Sequence, residues 1–389
     1  MKKILIVNNN MRIGGVQKAL VNLLWCIRGD YDITLLLFHK GGECLKDLPP
    51  EIRVITPNLA YRYLGMTKYD AVGIWNRLIR GFFAAITRLF GRKYAIALMS
   101  LGQKKLEGYD VAISYLHNSG DKMFYGGCND FVLNCVSAKK KMTFLHGDYR
   151  LCGADTRENG RQYARFDVIA ACSQGCANAF LQCHPEMAEK VHIVPNCHRF
   201  ADIRAKAEAS PVSLAGDKIN IVTVARFGKE KGVERALRAI AGIGSLREKL
   251  HYYIVGDGVQ KPLLLQIIKE EKLADTVTLC GMLENPYGYI KAADLLLIPS
   301  YSEAAPLVIG EAACLGTPIL STETSSAREM IEDSGFGWVC ENREAAMGIA
   351  LTALLAEPNR LQDAKSRLLH QKMDNDTALS QFIQSVSLS

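Results

Sequence analysis

The chain has 389 residues, 49% hydrophobic and 22% charged, with a formal net charge of +7 at pH 7. That length exceeds what one hydrophobic core ordinarily organises, so two domains are expected, and the composition excludes a disordered or fibrous chain. The opening MKKILIVNNN is too short an apolar run for a signal-peptide core, and no run approaches the ~18 apolar residues of a membrane span, which predicts a cytoplasmic protein. Twelve cysteines are scattered without a CxxC pair or a Cys/His cluster at metal-ligand spacing, so reduced thiols are expected rather than disulfides or zinc.

In chain order, Lys2–Val7 reads as a strand, and Asn8 to Gly15 as a glycine-bearing turn into a helix with Val16, Ala19, Leu20, Leu23 and Leu24 on one face. Gly14 and Gly15 would let backbone N–H groups approach an anion, although tight-turn geometry alone accounts for such a pair equally well. The pattern is not GxGxxG, so a dinucleotide fingerprint is absent. Strands follow at Asp32–Phe38 and Arg53–Thr56. From Tyr61 to Lys93 there are seven basic residues (Arg62, Lys68, Arg77, Arg80, Arg88, Arg92, Lys93) and one acidic, Asp70. Trp75, Leu78, Ile79, Phe82, Phe83, Ile86, Leu89 and Phe90 recur there at helical spacing, with Arg77, Arg80, Arg88 and Arg92 on the opposite face. Two readings stand for residues 75–93: docking on an anionic membrane surface, or an aromatic face packed on its own domain with solvated arginines.

Tyr109–Ser114, Met142–Leu145, Phe166–Ala170 and Val191–Pro195 read as further strands, with a helix around Ser173–Leu181. His146-Gly147-Asp148 stands at a strand's carboxyl end, where His146 is either structural or turned toward a cleft. The polar, alanine-rich stretch from Arg199 to Gly216 reads as the domain boundary, giving domains at 1–200 and 201–370, then a helical tail at 371–389 that could cross back to the first. The second series runs through strands at Ile219–Ala225, Tyr252–Gly256, Val277–Cys280, Asp294–Pro299, Pro318–Ser321 and Trp338–Cys340, with a helix at Val259–Glu271. Arg226 and Lys231 follow the first of these strands, a fork and a point charge suited to phosphate oxygens or to surface salt bridges. In Asp294–Leu320, Pro306 suits the first position of a helix closed by Gly316 and Pro318. Glu311 sits mid-helix among apolar residues and needs a partner, since burying an unpaired carboxylate costs several kcal/mol. Glu303 lies on the loop before it, where parallel sheets bind ligands.

The ordered set GGVQ (Gly14–Gln17), HGD (His146–Asp148), VPN (Val194–Asn196), ARFGKEKG (Ala225–Gly232), VGDG (Val255–Gly258), CGM (Cys280–Met282) and SEAAPLVIGEA (Ser302–Ala312) resembles retaining glycosyltransferases of the GT-B fold. More narrowly, it is similar to the large family 4 type that contains capsular-polysaccharide, exopolysaccharide and lipopolysaccharide transferases. The resemblance implies an α/β protein of two Rossmann-like parallel-sheet domains facing each other across a cleft, with the acceptor on the first and a nucleotide-diphospho-sugar, UDP-linked most often, on the second. It implies that Arg226 and Lys231 neutralise the diphosphate, that Glu311 accepts from ribose hydroxyls, and that Glu303 faces the sugar. Backbone N–H groups of Ala304, Ala305, Pro306 onward through Leu307 and Val308 would meet sugar and phosphate oxygens, Pro306 itself having none to give. Base contacts would come near Met282 and Leu283, while Gly14 and Gly15 approach the diphosphate and His146 the sugar.

In such enzymes the departing phosphate oxygen takes the acceptor's proton in a front-face attack; no metal and no cofactor is implied, the donor being a substrate. The implied acceptor is a glycan or a polyprenyl-diphosphate-linked oligosaccharide, met at the inner face of the plasma membrane if residues 75–93 dock there; nucleic acid is not implied. Ala304 and Ala305 depart from the family's usual glycine and bulkier residue, and Cys197 stands where a glycine often follows Asn196. Two alternatives keep the fold but not the reaction: a non-catalytic partner of another transferase, and a sugar-nucleotide epimerase.

Overall fold

A computed structural model describes residues 1–67 and 70–387. Lys68, one of the seven basic residues above, and the last two residues of the expected 371–389 tail lie outside them. The chain divides into two compact units, Met1–Cys197 together with the segment from Asn375, and His198–Asp374.

The first unit holds β1 (Lys3–Asn8), β2 (Asp32–Leu37), β3 (Arg53–Ile55), β4 (Leu106–Ser114), β5 (Val136–Leu145), β6 (Val168–Ala171) and β7 (Val191–Ile193). They form one parallel sheet in the order β3-β2-β1-β4-β5-β6-β7. Helices return the chain between parallel strands and cover both faces, so β1 is buried at every position after Lys3 instead of alternating. The Gly15–Ile27 helix seals one side with Leu20, Leu23, Leu24 and Ile27. The closing helix, Asp376–Ser387, adds Ala378, Phe382 and Val386 to the same core.

The second unit holds β8 (Ile219–Val224), β9 (Leu250–Val255), β10 (Val277–Gly281), β11 (Leu295–Ile298), β12 (Ile319–Thr322) and β13 (Gly337–Cys340). All are parallel, in the order β10-β9-β8-β11-β12-β13. Each sheet reverses its strand order once, between β1 and β4 and between β8 and β11. The loops leaving the carboxyl ends there part in opposite directions and leave a crevice between them.

Several boundaries differ from the sequence reading for identifiable reasons. The stretch expected to be a linker contains the Phe200–Ala209 helix, whose buried positions are Ile203 and Ala207 one turn apart, too few to register as a periodic face. β5 begins six residues before Met142, because Lys139 to Lys141 disguise its first half. The Cys128–Cys135 helix was hidden by its Asn and Asp residues, all but one of its eight residues being buried. All twelve cysteines are free thiols.

The basic segment requires the largest correction. Its helix runs Ile74–Phe90 and stops at Gly91, whose φ of 100° breaks it, before a separate Arg92–Met99 helix. Only Phe83 and Thr87 are buried in the longer helix. Trp75, Phe82 and Leu89 are 75%, 58% and 70% exposed, which overturns the reading in which the aromatic face packs on its own domain. Nor do all the arginines share an outer face. Arg80 turns inward, donating to the Met66 carbonyl at 3.1 Å. Arg92, 2% exposed, donates to Asn159 Oδ1 at 2.7 Å and to the Ser119 carbonyl at 3.2 Å, with Asp130 3.6 Å away.

Gly232 provides a test of how tightly the β8 loop is built. Its φ is +60°, and an added Cβ would stand 2.1 Å from the Pro299 carbonyl oxygen. Gly232→Ala should destabilise the protein by about 2 kcal/mol or more, whereas Gly15→Ala, whose Cβ meets nothing within 4 Å, should change stability by less than about 0.5 kcal/mol; thermal melts compare the two.

Candidate functional site

The crevice between β8 and β11 gathers most of the second unit's candidate residues. β8 and β11 pair directly, Ile221 beside Leu295, so the loops leaving their carboxyl ends start as neighbours. The first loop carries Arg226, a single turn at Lys229–Lys231, and the Val233–Gly242 helix. The second carries Ser300 and Glu303 and enters the Leu307–Cys314 helix. Lys231 Nζ donates to Glu303 Oε1 at 2.6 Å, and Ser300 Oγ donates to the same oxygen at 2.7 Å. The Lys231 and Glu303 side chains are 24% and 12% exposed, so the pair is largely withdrawn from water. Ser325 Oγ donates to the Glu303 carbonyl at 2.7 Å and fixes that loop's backbone.

Arg226 is not part of this pair. It lies 74% exposed and forks toward Glu230 at 2.7 Å. Burial pushes the Glu230 carboxyl up, but its own backbone amide and Arg226 pull it lower overall.

Glu311, 7% exposed, has the partner its setting demands: Tyr287 Oη donates to Glu311 Oε1 at 3.2 Å. Burial, followed by the Glu311 charge, raises the Tyr287 phenol far above its ordinary range, so it stays a donor. Pro306 stands at the helix cap with extended backbone, one residue earlier than expected, and Leu307 is the first helical position. Ala304 and Leu307 are buried; Ala305 and Val308 are half-buried. After β10, Met282 is exposed and Leu283 half-buried.

In the first unit, Gly14 caps the Gly15–Ile27 helix with φ −172°, an extended conformation open to any residue. A Cβ on Gly15 would meet nothing within 4 Å, whereas one on Gly14 would stand 2.6 Å from Gln17 Oε1, the end of a side chain that can move. His146 follows β5, stacked on Phe144 with ring centroids 5.4 Å apart and tilted over Tyr115 at 4.6 Å. A second histidine, His117, follows the neighbouring β4; a Cβ on Gly147 would stand 2.9 Å from His117 Nε2, so the glycine makes space for that ring. Both rings are half-buried, and neither His146 Nε2 nor His117 Nδ1 has a hydrogen-bond partner. Burial lowers both imidazoles, His117 to about 4 and His146 to about 3, the latter with a contribution from His117. Asp148 closes a local turn, its Oδ1 accepting from the Arg150 and Leu151 amides at 3.1 Å each.

Residues 206–368 match the family described as Glycosyl transferases group 1. The second unit belongs to that family. The chain spans about half the length of the curated relatives it matches. One, the N-acetylgalactosamine-N,N'-diacetylbacillosaminyl-diphospho-undecaprenol 4-alpha-N-acetylgalactosaminyltransferase of Campylobacter jejuni, is 31% identical over 204 residues, 52% of this chain and 54% of that one. Another, the N-acetyl-alpha-D-glucosaminyl L-malate synthase of Bacillus anthracis, is 28% identical over 248 residues, covering 60% and 61%. Among solved structures, Anabaena HepE in complex with UDP and glucose superposes over 100% of both chains with a TM-score of 0.69 at 18% identity. That likeness shows the fold, two Rossmann-like parallel-sheet units of the GT-B class.

The sequence reading missed the residue that ties the group 1 unit's site together. Arg235, 2% exposed, donates through Nε to the Pro299 carbonyl at 2.6 Å, through Nη1 to Asn342 Oδ1 at 2.7 Å, and through Nη2 to Thr322 Oγ1 at 3.1 Å and to the Ser300 carbonyl. Its guanidinium lies 4.0 Å from the Tyr301 ring centroid. Burial lowers its pKa. In the sequence it looks like any helical arginine; the only signal was a charged pair, Glu234-Arg235, set among Val233, Ala236 and Leu237.

Two outcomes follow from these contacts. Arg235→Met should cost about 3 kcal/mol, several buried carbonyl and hydroxyl acceptors losing their donor at once, and Arg235→Lys should recover only part of it; chemical denaturation reads both. The histidines give a pH dependence. Their folded pKa values lie below the unfolded ~6.5, so the unfolded chain binds more protons, and stability is complete above pH ~6.5 and falls as pH drops toward 4. The melting temperature should therefore decline between pH 6.5 and 4.5, and His117→Asn with His146→Asn should flatten that decline.

Proposed function

We propose that the protein is a retaining hexosyltransferase that moves a sugar from a nucleotide-diphospho-sugar, UDP-linked, to a hydroxyl of a glycan or polyprenyl-diphosphate-linked oligosaccharide in cell-surface polysaccharide synthesis. The observation that carries this reading is the Lys231–Glu303 pair at the strand-order reversal, 2.6 Å apart and poised to be divided by one ligand. A diphosphate offers Lys231 a more highly charged partner than Glu303, and the sugar's hydroxyls offer Glu303 donors in return, so both charges stay satisfied when the donor binds. Arg226, exposed and paired with Glu230, can swing onto a phosphate oxygen. The charge on the departing diphosphate grows as the glycosidic bond breaks, so these cations contribute most in the transition state.

In this reading Glu311 accepts from the ribose hydroxyls with one oxygen while Tyr287 holds the other, and the amides opening the Leu307–Cys314 helix meet sugar or phosphate oxygens. Neutralisation rests on the chain's own cations, and the leaving phosphate oxygen takes the acceptor's proton. Gly14, Gly15 and His146 of the first unit keep the roles the family resemblance implies, diphosphate approach for the glycines and sugar contact for a neutral imidazole. The relatives support a sugar donor more strongly than any one acceptor, since their printed names include both a diphospho-undecaprenol-linked glycan and L-malate. The outward aromatic face of the Ile74–Phe90 helix favours the lipid-linked acceptor, with the enzyme working at the inner face of the plasma membrane.

A thermal-shift screen of nucleotide sugars tests this. One UDP-sugar at 100 times its dissociation constant should add about 2.7 kcal/mol, or roughly 5–10 °C. Lys231→Ala should abolish the shift, while Glu303→Gln should keep the shift given by UDP alone and lose on the order of 100-fold in kcat/KM. A screen in which no nucleotide sugar stabilises the protein overturns the reading; donor turned over to an epimer without acceptor would replace it.

A further inference from the structure

Glu311 stands on a helix of only eight residues, Leu307–Cys314. Two turns are too few to hold themselves in water, so the helix takes its place from what it packs on. Ile309 and Ala312 anchor it to the apolar core of the second unit. Its backbone ends are tied as well, by residues 109 and 114 positions earlier. His198 Nε2 donates to the Leu307 carbonyl at 3.1 Å, and Cys314 Sγ donates to the Phe200 carbonyl at 3.6 Å. A carbonyl only accepts, so Nε2 carries the proton. In an α-helix the Leu307 carbonyl also takes the amide of the residue four ahead, which is Glu311. His198 therefore shares its acceptor with the Glu311 amide and fixes the turn that presents the carboxylate.

The histidine ring has little freedom to leave that oxygen. It is 8% exposed and stacks on Phe200, with centroids 5.3 Å apart and planes 14° from parallel. Room for it comes from Gly310, where an added Cβ would stand 2.5 Å from His198 Nε2 and 2.7 Å from its Cε1. Glycine inside a helix is less favourable than alanine, since it loses more backbone freedom on folding and packs no side chain. That unfavourable residue sits immediately before Glu311, in the space the imidazole needs. On the other side, Tyr287 Oη holds Glu311 Oε1 at 3.2 Å. One contact sets the carboxylate and the other sets the backbone that carries it.

We propose that His198 is a positioning residue for nucleotide binding, acting through the Leu307 carbonyl to set where Glu311 meets the ribose rather than by touching the donor itself. The inference rests on the nucleotide-sugar reading and deepens it.

Calorimetric titration of the full chain with UDP and with 2′-deoxy-UDP tests this, because the ratio of the two affinities reads the ribose contact apart from overall stability. Wild type should bind UDP about 10-fold more tightly than the deoxy form. His198→Ala should weaken UDP binding about 10-fold and shrink that ratio to about 2-fold. His198→Gln, whose amide can reach the same carbonyl, should restore most of both. Gly310→Ala should reproduce the loss by pushing the ring off its acceptor. In His198→Ala with Gly310→Ala the new methyl takes part of the ring's space, so the melting temperature should recover against either single variant while the ratio stays near 2-fold. If His198→Ala fails to fold, the double variant and His198→Gln still separate the hydrogen bond from packing. A wild-type ratio in the folded His198→Ala protein overturns the proposal, as does its return in the double variant. Wild type that binds both nucleotides equally overturns the proposal through the ribose role of Glu311, and wild type that binds neither overturns the UDP-linked donor reading together with what is built on it.

Discussion

Arg235 is the residue on which the group 1 unit's crevice depends. One guanidinium, withdrawn from water, satisfies carbonyls at the end of β11, a hydroxyl at the end of β12 and the Asn342 amide beyond β13. Strand ends in a parallel sheet are where backbone acceptors run out of ladder partners, and loops leaving them would otherwise be free to drift. Binding three of these loops to one planar cation turns them into a rigid floor. Glu303 stands three residues beyond Ser300 on that floor, so its contact with Lys231 is set by a residue that touches neither.

The glycines show the same economy in a different form. Gly232 is fixed by geometry, because the chain must pass Pro299 with no side chain between them. Gly14 and Gly15 are not, since their backbone angles suit any residue.

The sequence made the sheets legible because parallel strands buried on both faces read as short apolar runs, and their alternation with helices was regular from Lys3 to Cys340. Glu311 stood out because charge inside an apolar stretch demands a partner, and Lys231 and Glu303 because they follow the carboxyl ends of strands. What escaped notice was whatever carried its reason elsewhere. Arg235 and Tyr287 looked ordinary because their partners are distant in the chain; Arg92 looked like a surface charge because Asp130 lies 38 positions on. Helical spacing gave the amphipathic character of residues 74–90 correctly but not its direction, because periodicity separates two faces without saying which one meets the protein.

The closing helix carries a consequence for how the molecule is made. Phe382 is fully buried in the first unit, its ring 6.2 Å from that of Tyr31, and Val386 and Ala378 enter the same core. The second unit is thus an insertion in the first one's sequence, and the first unit's core holds a gap until the whole of His198–Asp374 has left the ribosome. A chain that grows from its amino end folds its second unit while its first is still unfinished, so the inserted unit is complete before the unit that surrounds it in sequence has closed.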